Sequence, residues 1–315
     1  FSYNGGATEF PNAVQDSATS GKNNQYFFVG GSRFIESDNT ASGTFEIASG
    51  KTVNLGGIFT LGMVAQENGT ELKNSGTITD AEEKDEKWIQ DMPNTVSING
   101  PTEDYTITKS ADGYVGYKVG IAQVQENGPS SYDGNKQKMT NSATGKINFF
   151  GERSIGMYVY LPSHNSNALM TNTGTITLSG KESYGMKFAA AAATSGTLRA
   201  AMINDTNATI NLQKNTSGSD KADQSAALAL MADGSVTGGV SLGTAKVEKK
   251  GTINLKDVEN SLGAYVNIAS DITNSGKINI DSTIADGTPT SQAFNVGMRS
   301  GTNANANVIN TGTGT

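Results

Sequence analysis

Hydrophobic and polar residues alternate with a period of two along short stretches of this chain. Thr175–Leu178 reads Thr-Ile-Thr-Leu, and Met186–Phe188 places a lysine between two apolar side chains. Successive side chains of a β-strand point to opposite faces, so this pattern predicts strands with one buried face. Helix is expected only over the charged run Asp80–Gln90, while the alanine run 189–193 is interpreted as the continuation of a strand.

Two short phrases recur along the chain. The first is an Asn with a Gly two residues later and an Ile four residues later; Asn and Gly tolerate positive φ, so this step predicts a tight corner between strands. The second phrase is a Gly, usually followed by Met, about eleven residues further on. First phrases begin at 74, 172 and 274, with looser copies at 145, 208 and 251; second phrases begin at 62, 116, 156, 185, 263 and 297.

Each repeat is predicted to consist of a strand, the Asn-Gly corner, a second strand, a loop and a third strand. A single such unit cannot bury its apolar face alone, so the units must stack on one another. Stacking in register predicts a ladder of Ile147, Ile176, Ile210, Ile253 and Ile278 down the interior, with the Gly-Met phrases as a second ladder. Copies start 25 to 45 residues apart. This variable spacing is typical of a coil in which loops of different lengths are inserted at the corners. The predicted fold is all-β, a right-handed parallel β-helix (β-solenoid) with protruding loops. An antiparallel sandwich is the alternative.

The repeats also predict how the chain is divided. Residues 1–41 carry neither phrase and are predicted to be an N-terminal cap or an irregular lead-in. Residues 42–315 are predicted to form the β-helix, truncated at its C-terminal end, with an insertion at about 80–93. About ten coils spaced by about 4.8 Å would give a rod of about 45 Å.

Charge and composition argue against several functions. The net charge is -7 and the pI is near 4.9, whereas binding to a phosphate backbone requires a basic face, so no nucleic-acid partner is expected. The chain lacks cysteine and has one histidine, His164, so no zinc site and no Ser-His nucleophile is expected. We predict no cofactor and no metal, and the absence of a long apolar run predicts no membrane span.

The insertion supplies the candidate binding residues. A β-helix polysaccharide lyase or glycosidase would need carboxylates on one face, but Glu82, Glu83, Asp85 and Glu86 are interpreted as a solvated helix face, and no enzymatic activity is predicted. Trp88 is the only tryptophan, and an aromatic side chain among charges is a typical interface anchor. Trp88, Asp85 and Glu86 are therefore the candidate binding residues, and an exposed charged loop without function is the alternative.

The repeats resemble a known family. Asn172–Leu178 followed by Ser183–Met186, and Asn274–Ile278, are similar to the passenger repeats of the very large fusobacterial type V autotransporter adhesins. The resemblance covers about residues 42–312. It implies a secreted passenger at the cell surface, anchored in the outer membrane through a C-terminal barrel that lies outside this sequence.

The resemblance also implies partners. Members of the family bind other bacteria, host glycans or host immune receptors, so we expect a glycan or protein receptor on a bacterial or host cell, and a monomeric chain. The shared motif is scaffold, so no binding residue is carried over from the family. Binding is expected in the loops 80–93, 125–138, 213–224 and 281–292; the alternative is a spacer rod that projects a binding tip located elsewhere.

Overall fold

The computed structural model shows a parallel β-helix, which confirms the predicted fold class. It describes residues 2–3, 14–15, 25–28, 33–37, 43–57, 60–65, 70–99, 104–124, 138–161, 167–191, 199–233, 246–267, 271–281, 295–300, 307–312 and 314–315. Nearly all regular structure in these ranges is strand, arranged in three long sheets. The predicted loops at 125–137 and 282–292 and His164 lie outside the described residues.

Each coil contributes one strand to each sheet. Sheet 1 contains Ser2–Tyr3, Gly43–Ile47, Thr70–Asn74, Lys138–Asn141, Asn167–Asn172, Arg199–Asn204, Lys246–Lys249, Asp271–Asn274 and Asn307–Asn310. Sheet 2 contains Val14–Gln15, Gln25–Phe28, Thr52–Leu55, Thr77–Thr79, Lys146–Phe149, Thr175–Leu178, Thr209–Gln213, Thr252–Lys256 and Lys277–Asp281. Sheet 3 contains Arg33–Ser37, Thr60–Ala65, Lys118–Val124, Ile155–Leu161, Tyr184–Ala191, Ala226–Asp233, Leu262–Val266 and Val296–Ser300.

The predicted isoleucine ladder is present in sheet 2. Ile147 pairs with Ile176, and the register continues through Ile210, Ile253 and Ile278. All but Ile278 are fully buried. Neighbouring strands are in register and parallel, so each apolar position repeats at the same depth in the next coil. A narrow core is therefore filled by side chains of the same type.

Sheet 3 carries the second ladder, with one correction to its membership. The ladder runs through Met63, Ile121, Met157, Met186, Leu228, Ala264 and Met298. The prediction that Gly116 begins a copy is wrong, because Gly120 precedes the ladder residue. Gly116 instead lies at a corner with φ +86°, where a Cβ would come within 2.0 Å of the Glu152 carbonyl oxygen.

The Asn of the first phrase forms a buried side-chain ladder at the corner between sheets 1 and 2, called here the first corner. Asn74 donates through Nδ2 to Asn141 Oδ1 at 2.8 Å, Asn141 to Asn172 at 2.8 Å, and Asn172 to Asn204 at 2.9 Å. Lys249 holds the next position, and the ladder resumes from Asn274 to Asn310 at 2.8 Å. These amide bonds tie each coil to the next.

The glycine of the first corner is explained by close stacking and not by a positive φ. Gly174 does not adopt a positive φ. A Cβ on Gly174 would lie 2.2 Å from the Ser142 carbonyl oxygen and 2.3 Å from that of Gly145. At Gly174 the preceding coil is therefore too close for a side chain, whereas the next coil has the buried Ala208 at the matching position.

Two regions depart from the regular coil. Within residues 1–41, Ser2–Tyr3, Gln25–Phe28 and Arg33–Ser37 pair in parallel with the next coil, and Val14–Gln15 pairs antiparallel with Gln25–Phe28. Between Thr77–Thr79 and Lys118–Val124, the chain forms the 3₁₀ turn Glu83–Asp85, the helix Lys87–Asp91 and the antiparallel hairpin of Thr95–Asn99 with Asp104–Thr108. The segment 80–117 is called the insertion below.

Candidate functional site

The root of the insertion is a buried ion pair. Glu83 Oε1 accepts hydrogen bonds from Lys118 Nζ at 2.7 Å and from the backbone N–H of Gly57 at 3.0 Å. Glu83 Oε2 accepts from the N–H of Val115 at 3.1 Å, and Lys118 Nζ also donates to the Gly116 carbonyl at 2.8 Å. Both side chains of the pair are fully buried. The pair thus joins the two ends of the insertion, and the interpretation of Glu83 as part of a solvated helix face is wrong.

Asp80 fixes the same root to the following coil. Its two carboxyl oxygens accept hydrogen bonds from the backbone N–H groups of Phe150 at 2.8 Å and Gly151 at 2.9 Å. Burial, and then repulsion from the neighbouring Glu83 carboxylate, raise the pKa of Asp80 well above its ordinary value, despite these two hydrogen bonds. The root therefore contains two carboxyl groups and one amine in a site closed to solvent.

The insertion has a small apolar core of its own. Ile89, Ile107 and Val115 are buried together, and Met92 and Tyr117 pack against them. Lys109 donates through Nζ to the carbonyl oxygens of Ile89 and Met92, at 3.0 Å each, which ties the hairpin to the helix. The insertion is therefore a folded unit and not an irregular loop.

The turn 110–113, which follows the hairpin of the insertion, is bound to a loop about one hundred residues further along the chain. Asp112 accepts hydrogen bonds from Asn215 Nδ2 at 2.9 Å, from the N–H and Oγ of Ser219 at 2.7 and 3.1 Å, and from the N–H of Asp220 at 2.8 Å. Burial alone would raise the pKa of Asp112, but these hydrogen bonds outweigh it and the pKa is lowered. This contact is called the clasp below; it connects the coil that carries the insertion to the third coil after it.

A cleft of about 510 Å³ lies between the insertion, the clasp and the rod. The insertion contributes Thr108–Ala111, the two intervening coils contribute Glu152, Gly180 and Lys181, and the clasped coil contributes Ser219–Lys221, Asp223 and Gln224. The loop 213–224, predicted from the sequence as a possible binding loop, thus forms one wall. Most of the lining residues carry a hydroxyl, carboxyl, amine or amide group at the end of the side chain.

The floor of the cleft is the stacked corner between sheets 2 and 3. The backbone N–H of Ser154 donates to Ser183 Oγ at 3.0 Å, and that of Ser183 donates to Ser225 Oγ at 2.9 Å. The residues before Ser183 and Ser225 are Glu182 and Gln224, both at positive φ. In four sheet-3 strands a serine lies two residues before the glycine or alanine that is the second residue of the strand, and this recurrence is the sequence signal that could have revealed the corner: Ser154, Ser183, Ser225 and Ser261.

Charges in the cleft are largely balanced. Lys181 Nζ lies 3.3 Å from Glu152 Oε2, and Lys221 Nζ lies 3.7 Å from a carboxyl oxygen of Glu259 outside the cleft. Burial raises the pKa of both Asp220 and Asp223, which are half-buried. A site with paired charges, hydroxyl groups and half-buried carboxyl acceptors is suited to hydrogen bonding with a polar, hydroxyl-rich ligand.

The residues predicted from sequence lie away from this cleft. Asp85 is exposed on the 3₁₀ turn, Glu86 is partly exposed between this turn and the helix, and Trp88 lies in the helix, with its side chain outside the described atoms. Neither Asp85 nor Glu86 lines the cleft. Glu83, Lys118 and Asp112 were missed, because their roles depend on partners distant in sequence.

Searches of known proteins give no relative. No family model matches the chain, and neither a curated protein nor a solved structure is detectably similar to it. Over the described ranges, no group of three or more acidic or histidine side chains is placed to hold a metal ion. In the same ranges no helix is long and apolar enough to cross a membrane.

Proposed function

We propose that this chain is a surface-exposed adhesin segment of the autotransporter passenger class, held at the outer membrane, which attaches to a glycan or protein receptor on other bacteria or host cells. The observation that carries the proposal is the insertion. It is folded around its own core, fixed to the rod at its root and clasped at the turn 110–113, and it borders a cleft on the rod surface. A chain that served only to extend a rod would need nothing more than regular coils.

Two places, the cleft beside the insertion and the helix within it, are candidates for receptor contact. The cleft offers half-buried Asp223, whose Oδ1 accepts the N–H of Glu259 at 2.7 Å. The helix Lys87–Asp91 offers Trp88, with Asp85 and Glu86 just before it. A truncated hot-spot aromatic typically costs 2 kcal/mol or more of binding free energy.

Binding of the purified chain to a glycan array and to bacterial and host cells tests the proposal. We expect Trp88→Ala or Asp223→Asn to weaken binding at least about tenfold, which corresponds to about 1.4 kcal/mol, without changing the melting temperature. Asn retains the oxygen that accepts from Glu259, so the second substitution alters the charge but keeps this contact. Lys146→Ala, exposed on sheet 2, is the matched control and should bind normally.

The spacer rod is the second candidate, and the unbroken register of the three sheets favours it. A spacer would show no binding to any cell or glycan by the intact chain. That result would contradict the adhesin proposal, while binding that neither variant weakens would move the receptor site to another part of the surface.

A further inference from the structure

The root of the insertion buries charged side chains, although anchoring the insertion would not require charge. A buried ion pair costs several kcal/mol of desolvation per ion, so apolar side chains of similar size often stabilise a protein equally well. Here Lys118, Glu83 and the carboxyl group of Asp80 are all shielded from solvent. An amine and a carboxyl group that are shielded from solvent and held in contact are the reactants for an amide condensation.

The geometry places the amine beside one carboxyl carbon. Lys118 Nζ lies 2.7 Å from Glu83 Oε1. A nitrogen hydrogen-bonded to a carboxyl oxygen lies about 3.5 Å from the carboxyl carbon, within the range of a near-attack conformation. The N–H groups of Gly57 and Val115 donate to the two oxygens of Glu83. Fixed donors of this kind stabilise the negative charge that develops on oxygen during attack at a carboxyl carbon.

We propose that Lys118 and Glu83 form an intramolecular amide bond that closes the insertion covalently at its root. A proton passes from Nζ to the Glu83 carboxylate, the nitrogen lone pair attacks Cδ, and the new N–C bond replaces one C–O bond. The oxygen leaves as water with two protons, both originally on Nζ, so the ammonium and the carboxylate become one amide and one water molecule. No oxidant, reductant or further reactant is required.

Asp80 lies at the same root but takes no part in this step. Its two carboxyl oxygens accept hydrogen bonds from the N–H groups of Phe150 and Gly151, and this carboxyl group makes no hydrogen bond or ion pair with the side chain of Lys118 or Glu83.

Other buried or paired lysines of the described ranges lack this combination. Lys249 is buried, but no carboxyl group contributes to its pKa shift. Lys181 is paired with Glu152, but its side chain is 52% exposed. Because this pair is exposed to solvent, the separate ammonium and carboxylate ions are favoured over an amide. Lys181 and Glu152 therefore serve as an internal control for the chemistry.

Intact-mass spectrometry of the purified, denatured chain tests the proposal. We expect the wild-type mass to be lower than the sequence mass by one water molecule, and tryptic mapping to give one branched peptide joining residues 83 and 118. Lys118→Arg should have its full sequence mass, and circular dichroism should show that it remains strand-rich. The measurement on the wild-type chain does not depend on how the variant folds.

Several outcomes would overturn the amide. A wild-type chain with the full sequence mass would exclude it, as would a water loss mapped to any other pair of residues, Lys118 with Asp80 included. None of these results bears on adhesion, so the amide can be excluded while the proposed function stands, and adhesion can be excluded while the amide stands.

Discussion

Lys249→Asn is expected to stabilise the protein by repairing the asparagine ladder. Lys249 takes the ladder position between Asn204 and Asn274, and its side chain is fully buried. Within the described part of the chain, neither its Nζ nor Asn204 Nδ2 has a hydrogen-bond partner. Asparagine would accept from Asn204 and donate to Asn274, as the amides of the other coils do.

The size of the effect follows from three contributions. Burial lowers the pKa of Lys249 to about 8 from 10.5, so keeping the amine charged at pH 7 costs about 3 kcal/mol. Two new amide hydrogen bonds contribute about 1 kcal/mol each. The loss of about three buried CH₂ groups costs about 2.4 kcal/mol. The net gain at pH 7 is about 2–3 kcal/mol of unfolding free energy.

The expected stabilisation by Lys249→Asn depends on pH, whereas a change in packing alone would not. Because the folded-state pKa of Lys249 is below the unfolded value, its penalty is fully present below pH 8 and disappears as the pH rises to 10.5. The advantage of the variant should therefore be largest at pH 7 and vanish near pH 10.5. Other titrating groups are common to both proteins and cancel in the difference.

Urea unfolding of both proteins at pH 7 and pH 10 measures this advantage. Lys250→Asn is the control, because Lys250 is partly exposed, lies 3.0 Å from Glu248 and has a raised pKa. It should lose at most about 1 kcal/mol. Equal stabilisation by Lys249→Asn at both pH values, or destabilisation at pH 7, would refute the reasoning.

Two further predictions concern the coil itself. Ile176→Asp should unfold at least the neighbouring coils, since it places an unpaired charge in the ladder, whereas Thr177→Asp should cost less than about 1 kcal/mol; equal losses in thermal denaturation would contradict the assigned faces. Gly174→Ala should cost more than about 2 kcal/mol, because its Cβ would lie 2.2 Å from a backbone oxygen. Gly50→Ala, at φ +78° with no atom within 4 Å of its Cβ, should cost only about 1 kcal/mol of strain; a reversed order in urea midpoints would count against the steric argument.

The coil could be predicted from sequence because its information is local and repeated. The Thr-Ile-Thr-Leu alternation sets the buried face, and the recurrence of the Asn-x-Gly step before it sets the register. The error at Gly116 arose from a second glycine, Gly120, four residues later. The buried Lys118 lies between them and hides the apolar pattern that marks the correct one.

The cleft could not be predicted, because each contact that builds it joins distant segments. Glu83 can be buried because Lys118 and two backbone N–H groups donate hydrogen bonds to its carboxylate. Without those partners, a glutamate in a charged run is rightly expected in solvent. Asp112 meets residues 215–220 only because three coils place the second loop beside the turn 110–113 that follows the hairpin.

The interruption of the asparagine ladder has a mechanical consequence. The backbone bonds of the sheets and the amide bonds of the ladder all run from one coil to the next, so tension along the rod loads successive junctions in series. At its corner, the junction of Asn204 and Lys249 lacks the amide bond present at the steps from Asn74 to Asn204, although Asn254 Nδ2 donates to Asn211 Oδ1 at 2.8 Å in sheet 2 of the same two coils. The clasp spans the three junctions before it and shares their load. Under a stretching force, the rod should therefore yield first beyond the clasped coil, leaving the cleft intact.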